Sequence, residues 1–340
     1  MAPLAPLRAF TLDERGLHIL DQRALPLEER TLHCTSLEDV AVAIETLAVR
    51  GAPAIGGAAA LCMAMLARDA PAQLVPILEH ADARLRKTRP TAVNLFAALD
   101  AVQRAWQQAR AAGGDARALA DAVVQAAERY VNDDEKACAA MGAFGAELLH
   151  HGDVVMTICH TGALATCGQG TALGVIKSAR AQGKDVRVVA LETRPLLQGA
   201  RLTAWECLRE QIPCTLVTDG MASFALQRLK VTRAIAGADR IARDGSTANK
   251  IGTYNLAVAA QHHGVPFIVA APWSTFDPSI DSGDGIVIEE RAGDEVRTAR
   301  GTKLAPAAIP VWNPAFDVTP PALIAHWVSE RGVIKPPFLS

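Results

Sequence analysis

The chain has few aromatic residues, little net charge and no uninterrupted apolar run of bilayer length. Aromatics make up 4% of its 340 residues, so a core must be assembled mainly from Ala, Leu, Val and Ile. The formal net charge is -2 and the pI is near 6.5. That balance gives no general basic surface for a nucleic-acid backbone or an anionic membrane, and neither partner is expected. Residues 1–20 include Arg8, Asp13, Glu14 and Arg15 and lack the apolar stretch of a signal peptide. The longest uncharged stretch, 51–67, is short for a membrane span and rich in small residues, so it is read as a buried helix. There are 7 cysteines and no C-x-x-C pair, which points to reduced thiols in a cytoplasmic protein rather than a disulfide framework. No His, Cys or Asp cluster has metal-ligand spacing, so no metal is expected, and no cofactor is assigned.

What is present is a globular composition, 50% hydrophobic with a mean hydropathy of +0.15. Two regions differ in periodicity. After a short β-like opening over 10–32, segments 37–49, 54–67, 74–86 and 92–110 carry apolar residues at three- and four-residue spacing and predict helices. Gly113-Gly114-Asp115 predicts a break before another Ala-rich helix. From 152 onward, short apolar runs at 154–159, 186–192, 214–218, 233–237 and 267–271 are each followed by a helical stretch. Runs apolar on both faces suit parallel strands covered by helices. The expected fold class is therefore α/β, with a mostly helical domain over 1–150 and a doubly wound domain with a mainly parallel sheet over 151–340.

In such a sheet the carboxyl ends of the strands share one edge, where ligands bind. The residues expected there are Cys159 and His160, Glu192 and Arg194, Asp219, Asp239, and Trp273 and Ser274. Between Cys159 and the next helix runs HTGALATCGQGTALG. A glycine-rich turn leading into a helix exposes backbone N–H groups suited to phosphate, which makes Thr161, Gly162, Thr166, Gly168 and Gly170 candidate phosphate-loop residues. The same sequence also suits a merely tight strand–helix turn. As a dinucleotide fingerprint it misses the last interval of G-x-G-x-x-G by one residue, between Gly170 and Gly174.

Cys159 has two readings, a buried small hydrophobe or an acid/base group at a strand end. A cysteine–histidine hydrolase pair with His160 is disfavoured, because strand neighbours point to opposite faces. Asp239, in GADRIARDG, has the setting of a partly desolvated carboxyl able to hold a proton, or of an ordinary capping residue. Ser246 or Thr247 is expected to cap a helix over 250–262, placing Asn249 and Lys250 near its positive end. A lysine there opposes the helix dipole unless an anion binds. Arg50 and Arg89 each sit beside Gly or Pro in a tight loop that would aim a guanidinium at a phosphate or hydroxyl.

Together RGAPAIG, TRPTAVNL, TICHTGALATCGQGTALGV, ETRPLLQGARLTAWE, TDGMA, AGADRIARDGSTANKIGTYNLAV and APWSTFD closely resemble the methylthioribose-1-phosphate isomerase family. That family belongs to the superfamily of regulatory subunits of the translation initiation guanine-nucleotide exchange factor, and the resemblance covers nearly the whole chain. It implies a Rossmann-like second domain, a homodimer, a sugar-phosphate substrate and a place in methionine salvage. Carried over by motif, Cys159 and Asp239 are catalytic, and Arg50, Gly51, Ala52, Arg89, Gln198, Asn249 and Lys250 contact substrate. The family often has Asn where this chain has His160. Three alternatives stand beside this: an isomerase of 5-deoxyribose 1-phosphate or another 5-modified ribose 1-phosphate, a non-catalytic regulatory subunit binding a sugar phosphate or nucleotide, and a nicotinamide-dependent dehydrogenase.

Overall fold

Alternating apolar positions over 10–34 build a small antiparallel sheet, and a capped amphipathic helix follows at once. In the computed structural model, which describes residues 6–68, 73–90 and 92–338, strands β1 (Phe10–Asp13), β2 (Gly16–Leu20) and β3 (Thr31–Cys34) form that three-stranded sheet. Helix α1 (Leu37–Glu45) opens on a capping box, in which Ser36 Oγ accepts from Asp39 N and Asp39 accepts from the Ser36 N–H. Then come α2 (Ala52–Ala67), α3 (Leu74–Arg86), α4 (Val93–Ala111) and α5 (Ala116–Ala146). Helix α2 carries no charged residue and is buried around nearly its whole circumference, as expected of a helix that other elements enclose.

Contacts divide the chain into two units. The first comprises Met1–Cys138 with Ala163–Gly170, and the second comprises Ala139–Gly162 with Thr171–Ser340. The division falls inside α5, and residues 163–170 belong to the helical unit although the chain on both sides belongs to the other.

In the second unit the elements are β4 (Val154–Thr157), α6 (Ala172–Ala181), β5 (Arg187–Leu191), α7 (Ala204–Arg209), β6 (Cys214–Val217), α8 (Ala222–Arg228) and β7 (Arg233–Ala236). They continue as β8 (Arg240–Ala242), β9 (Thr247–Lys250), α9 (Thr253–His262), β10 (Phe267–Ala270), β11 (Phe276–Asp277), α10 (Asp294–Arg297), β12 (Thr298–Ala299), β13 (Thr302–Lys303), β14 (Phe316–Thr319), β15 (His326–Ser329) and β16 (Gly332–Ile334). A seven-stranded sheet has the order β16-β15-β10-β7-β4-β5-β6. All its pairs are parallel except β15 with β16. The fold is thus α/β with a mainly parallel sheet.

From β4 the chain steps outward to β5 and β6, then returns to β7 on the opposite side and continues to β10 and β15. The direction of winding reverses between β4 and β7. At such a reversal the loops leaving two adjacent strands diverge and open a crevice at their carboxyl ends.

A separate four-stranded sheet, β11-β8-β9-β14, follows β7. It replaces the first turn of the helix expected over 250–262, which begins only at Thr253. Ser246 and Thr247 are not its caps. Thr247 Oγ1 donates to Gly245 O at 3.0 Å inside the β8–β9 turn. The helix start is held by Asp317, whose carboxylate accepts from Gly252 N at 2.7 Å and Tyr254 N at 3.0 Å. Trp327 Nε1 donates to Gly245 O and Thr247 Oγ1 at 3.2 and 3.3 Å. Phe338 lies edge-on to Trp327 with centroids 4.7 Å apart and fills the space a side chain at Gly245 would need.

Candidate active site

Cys159 and Asp239 follow β4 and β7, the two neighbouring strands that flank the reversal. Cys159 is nearly buried, with 9% exposure, and its backbone is left-handed at φ 66°. That conformation is unfavourable for a residue with a Cβ and persists only where neighbours fix it. Its N–H donates to Thr193 Oγ1 at 2.8 Å, its C=O accepts from Thr203 Oγ1 at 2.8 Å, and its sulfur accepts from Gln198 Nε2 at 3.4 Å. All three partners come from the loop and wide helical turn that follow β5. The sequence placed Gln198 at the site but did not single out Thr193 or Thr203; their only signal is that two threonines flank the invading segment in ETRPLLQGARLT.

His160 turns away from the sulfur. Its Nδ1 lies 3.1 Å from Thr203 Oγ1, and its Nε2 lies 3.1 Å from Glu206 Oε2. A hydrolytic cysteine–imidazole pair is therefore not formed. Glu206, fully buried, also binds Lys177 Nζ at 2.6 Å. Burial alone would raise its pKa, but the Lys177 ammonium and the His160 ring reverse that and hold the carboxyl at about 2.

The glycine-rich segment is divided between the two units, Thr161 and Gly162 in one and Thr166, Gly168 and Gly170 in the other. Thr161 Oγ1 accepts from Leu173 N at 3.1 Å and so caps the first turn of α6. Thr166 Oγ1 bonds Gly168 N and O at 3.2 and 3.1 Å. Both hydroxyls thus close the segment's own backbone. Gly162 lies against the Glu206 carboxylate, where a Cβ would collide.

Asp239 N donates to Ala248 O at 2.9 Å, tying it to the β8–β9 hairpin. Asn249 and Lys250 lie on β9 and are buried. Asn249 Nδ2 donates to Thr253 Oγ1 at 2.9 Å. Lys250 Nζ donates to Ala315 O at 2.9 Å and sits 4.4 Å from the Phe316 ring centroid. Lys250 thus ends strand β9 two residues before the Gly252 cap of α9, rather than opening the helix itself. Asp219 accepts from Thr193 N and Arg194 N at 2.9 and 2.7 Å, and Arg194 itself binds Val296 O at 2.8 Å.

In the helical unit, Gly51 has φ 96° and ψ 131° and caps α2, with Ala52 its first residue. A Cβ on Gly51 would lie 2.5 Å from Ala165 Cα, so only glycine fits. Arg50 Nη1 and Gln198 Oε1 are buried without a hydrogen-bond partner among the described residues, which leaves each able to bind a polar ligand group. Arg89 follows α3 and is half-buried; Thr91 of its motif lies outside the described residues. All seven cysteines are free. Among the described residues no helix is long and apolar enough to cross a membrane, and no group of three or more His, Cys, Asp or Glu is placed to hold a metal ion.

The chain belongs to the initiation factor 2 subunit family, whose model matches residues 48–336. Within that family it is similar to methylthioribose-1-phosphate isomerases. The protein of that name from Alcanivorax borkumensis is 52% identical over 323 residues, covering 94% of this chain and 92% of that one. The one from Pelotomaculum thermopropionicum is 49% identical over 326 residues, covering 95% and 89%. The crystal structure of 5-methylthioribose 1-phosphate isomerase from Pyrococcus horikoshii matches with TM-score 0.92 and 40% identity, covering 98% of this chain and 94% of that one. A crystal structure titled translation initiation factor eIF-2B, subunit delta, from A. fulgidus matches with TM-score 0.89 and 43% identity, covering 98% and 97%.

Proposed function

We propose that this chain is an aldose–ketose isomerase that converts 5-methylthioribose 1-phosphate into 5-methylthioribulose 1-phosphate in methionine salvage. One observation carries the mechanism: a thiol and a carboxyl leave the two strands between which the sheet reverses. Phosphate on O1 prevents simple opening of the sugar to a free aldehyde, so the ring C1–O bond must be broken with acid assistance. Asp239, in its protonated form, donates to the ring oxygen as that bond breaks. The hydrogen on C2 then moves to C1 while the C2 hydroxyl loses its proton and becomes the ketone. Cys159 either carries that hydrogen as a proton or stabilises its direct shift as hydride. Gln198, Asn249, Lys250, Arg50, Gly51, Ala52 and Arg89 take the substrate-contact roles that the motif resemblance gives them. The protein acts in the cytoplasm as a homodimer.

The test is incubation of the purified protein with 5-methylthioribose 1-phosphate and 5-deoxyribose 1-phosphate, following ketose without added cofactor. Turnover of the first with a clear preference over the second supports the assignment. Turnover of neither, with stable incorporation into a larger assembly, favours the regulatory-subunit reading raised by the similarity to the A. fulgidus structure. In D2O, deuterium at C1 of the product indicates the proton route, and its absence indicates the hydride shift or a shielded base.

A further inference from the structure

We propose that Thr193 is a positioning residue for the Cys159 thiol, and that Asp219 positions Thr193 in turn. This rests on Cys159 taking part in the reaction.

Two residues with side chains, Cys159 and Thr193, face each other in left-handed conformations at φ 66° and 65°. Each such conformation is unfavourable for a residue with a Cβ, so something must over-determine both. For Cys159 the determinants are the two threonine hydroxyls on its N–H and C=O. Thr193 and Thr203 are both 0% exposed, and β-branching restricts their rotamers. Thr193 Oγ1 donates its single proton to Leu191 O at 3.1 Å, which leaves a lone pair for the Cys159 N–H. The Thr193 backbone is fixed from outside the loop, by the Asp219 carboxylate that accepts from the N–H groups of residues 193 and 194. Gly199 permits this approach, since a Cβ there would collide with Leu191 O and lie 2.9 Å from Thr193 Oγ1.

The result is a relay from the end of β6 to the end of β5 to the end of β4. Asp219 sets Thr193, Thr193 sets the Cys159 peptide, and the peptide sets the sulfur against Gln198. Without the Thr193 hydroxyl the Cys159 N–H is left buried and unpaired, and the left-handed conformation loses one of its determinants. The sulfur then moves relative to the reacting carbon, and displacements near 1 Å cost rate by about a hundredfold while leaving ground-state binding largely intact.

The experiment compares Thr193→Val with Thr193→Ser, measuring kcat and KM, Tm, and the rate at which iodoacetamide alkylates Cys159, read by peptide mapping. Val removes the hydroxyl at nearly constant volume; Ser keeps it. Thr193→Val is expected to lower kcat by roughly 10- to 100-fold with KM changed less than about threefold, and to alter the Cys159 alkylation rate by at least about threefold. Thr193→Ser is expected to restore most of both. Wild-type kcat and alkylation in Thr193→Val overturn the proposal, as does a Ser variant as impaired as the Val variant. If Thr193→Val does not fold, Asp219→Asn serves. It removes one backbone acceptor and leaves the Thr193 hydroxyl, so it is expected to lower kcat with KM intact, and a wild-type kcat overturns the relay. Cys159→Ala is run in parallel. Near-wild-type turnover there ends the catalytic reading of the thiol, whereas the alkylation rates still report whether Thr193 sets its position.

Discussion

Helix α2 in the first unit and the segments around Cys159 in the second are both buried, yet they are held by different physics. Along α2 the buried residues are Ala, Gly, Ile, Leu, Met, Cys and Pro, so its stability comes from apolar contact and close packing. Around Cys159 the buried residues include His160, Thr161, Thr193, Gln198, Thr203 and Glu206, joined by directional hydrogen bonds and ion pairs. Apolar packing fixes where an element lies and tolerates small shifts. A hydrogen-bonded interior fixes individual atoms, the condition that the proposed role of the Cys159 thiol needs. Damage to the first should therefore appear as lost stability, and damage to the second as lost turnover.

The contrast breaks if the largest expected effect fails. Cys159→Ser and Asp239→Asn should each lower kcat by about a thousandfold or more while Tm stays close to wild type. Near-wild-type turnover in either variant removes that residue from the mechanism. The opposite pattern is expected for Met63→Ala in α2, where Met63 is 0% exposed. It should cost about 2–5 kcal/mol in a denaturant titration, with kcat per folded molecule unchanged. Loss of activity without loss of stability in that variant would erase the distinction.

A pH titration sharpens the comparison further. Glu206 has an ordinary pKa of 4.5, lowered to about 2 in the folded protein. A depressed carboxyl stabilises above its unfolded pKa, and this contribution is lost as pH falls from about 4.5 to about 2. The loss should amount to something on the order of 3 kcal/mol, and Glu206→Gln should show a flatter dependence of the urea midpoint across that window. Equal slopes in the two proteins would mean that another group governs acid unfolding. The smallest effect is expected for Arg89→Ala, which should raise KM about tenfold with kcat little changed if the guanidinium holds phosphate throughout. A kcat loss alone would assign it to the transition state instead.

Where apolar runs are buried on both faces, sequence and structure agree closely. The run at 154–159 contains β4, that at 186–192 contains β5, and that at 267–271 contains β10. Helix α3 starts and stops at the expected residues because its apolar stripe ends in basic residues before a proline. Strand β9 was illegible for the converse reason. Its sequence, TANK, is polar, but β8 and β14 enclose it and all four residues are buried. Only pairing across distant segments makes a strand of it, and Ser246-Thr247 imitated a helix cap. The edge strand β16 and its neighbour β15 were missed as well. The course of residues 163–170 was also hidden, since the mostly small and polar stretch ALATCGQG specifies no partner. Of the candidate site, Cys159 and Asp239 were legible as reactive or polar groups beside strand ends, whereas Gln198 came only from the motif resemblance. The Thr193–Asp219 relay was not, because hydroxyl-to-backbone bonds leave no periodic trace.

The aromatic contact between Phe338 and Trp327 has a practical side. Phe338 covers Gly245, the pivot of the hairpin that carries Asn249 and Lys250. Removal of the Phe338 ring, as in Phe338→Ala, would uncover the Trp327 indole and free the space beside Gly245, and so should loosen this hairpin turn while the parallel sheet stays folded.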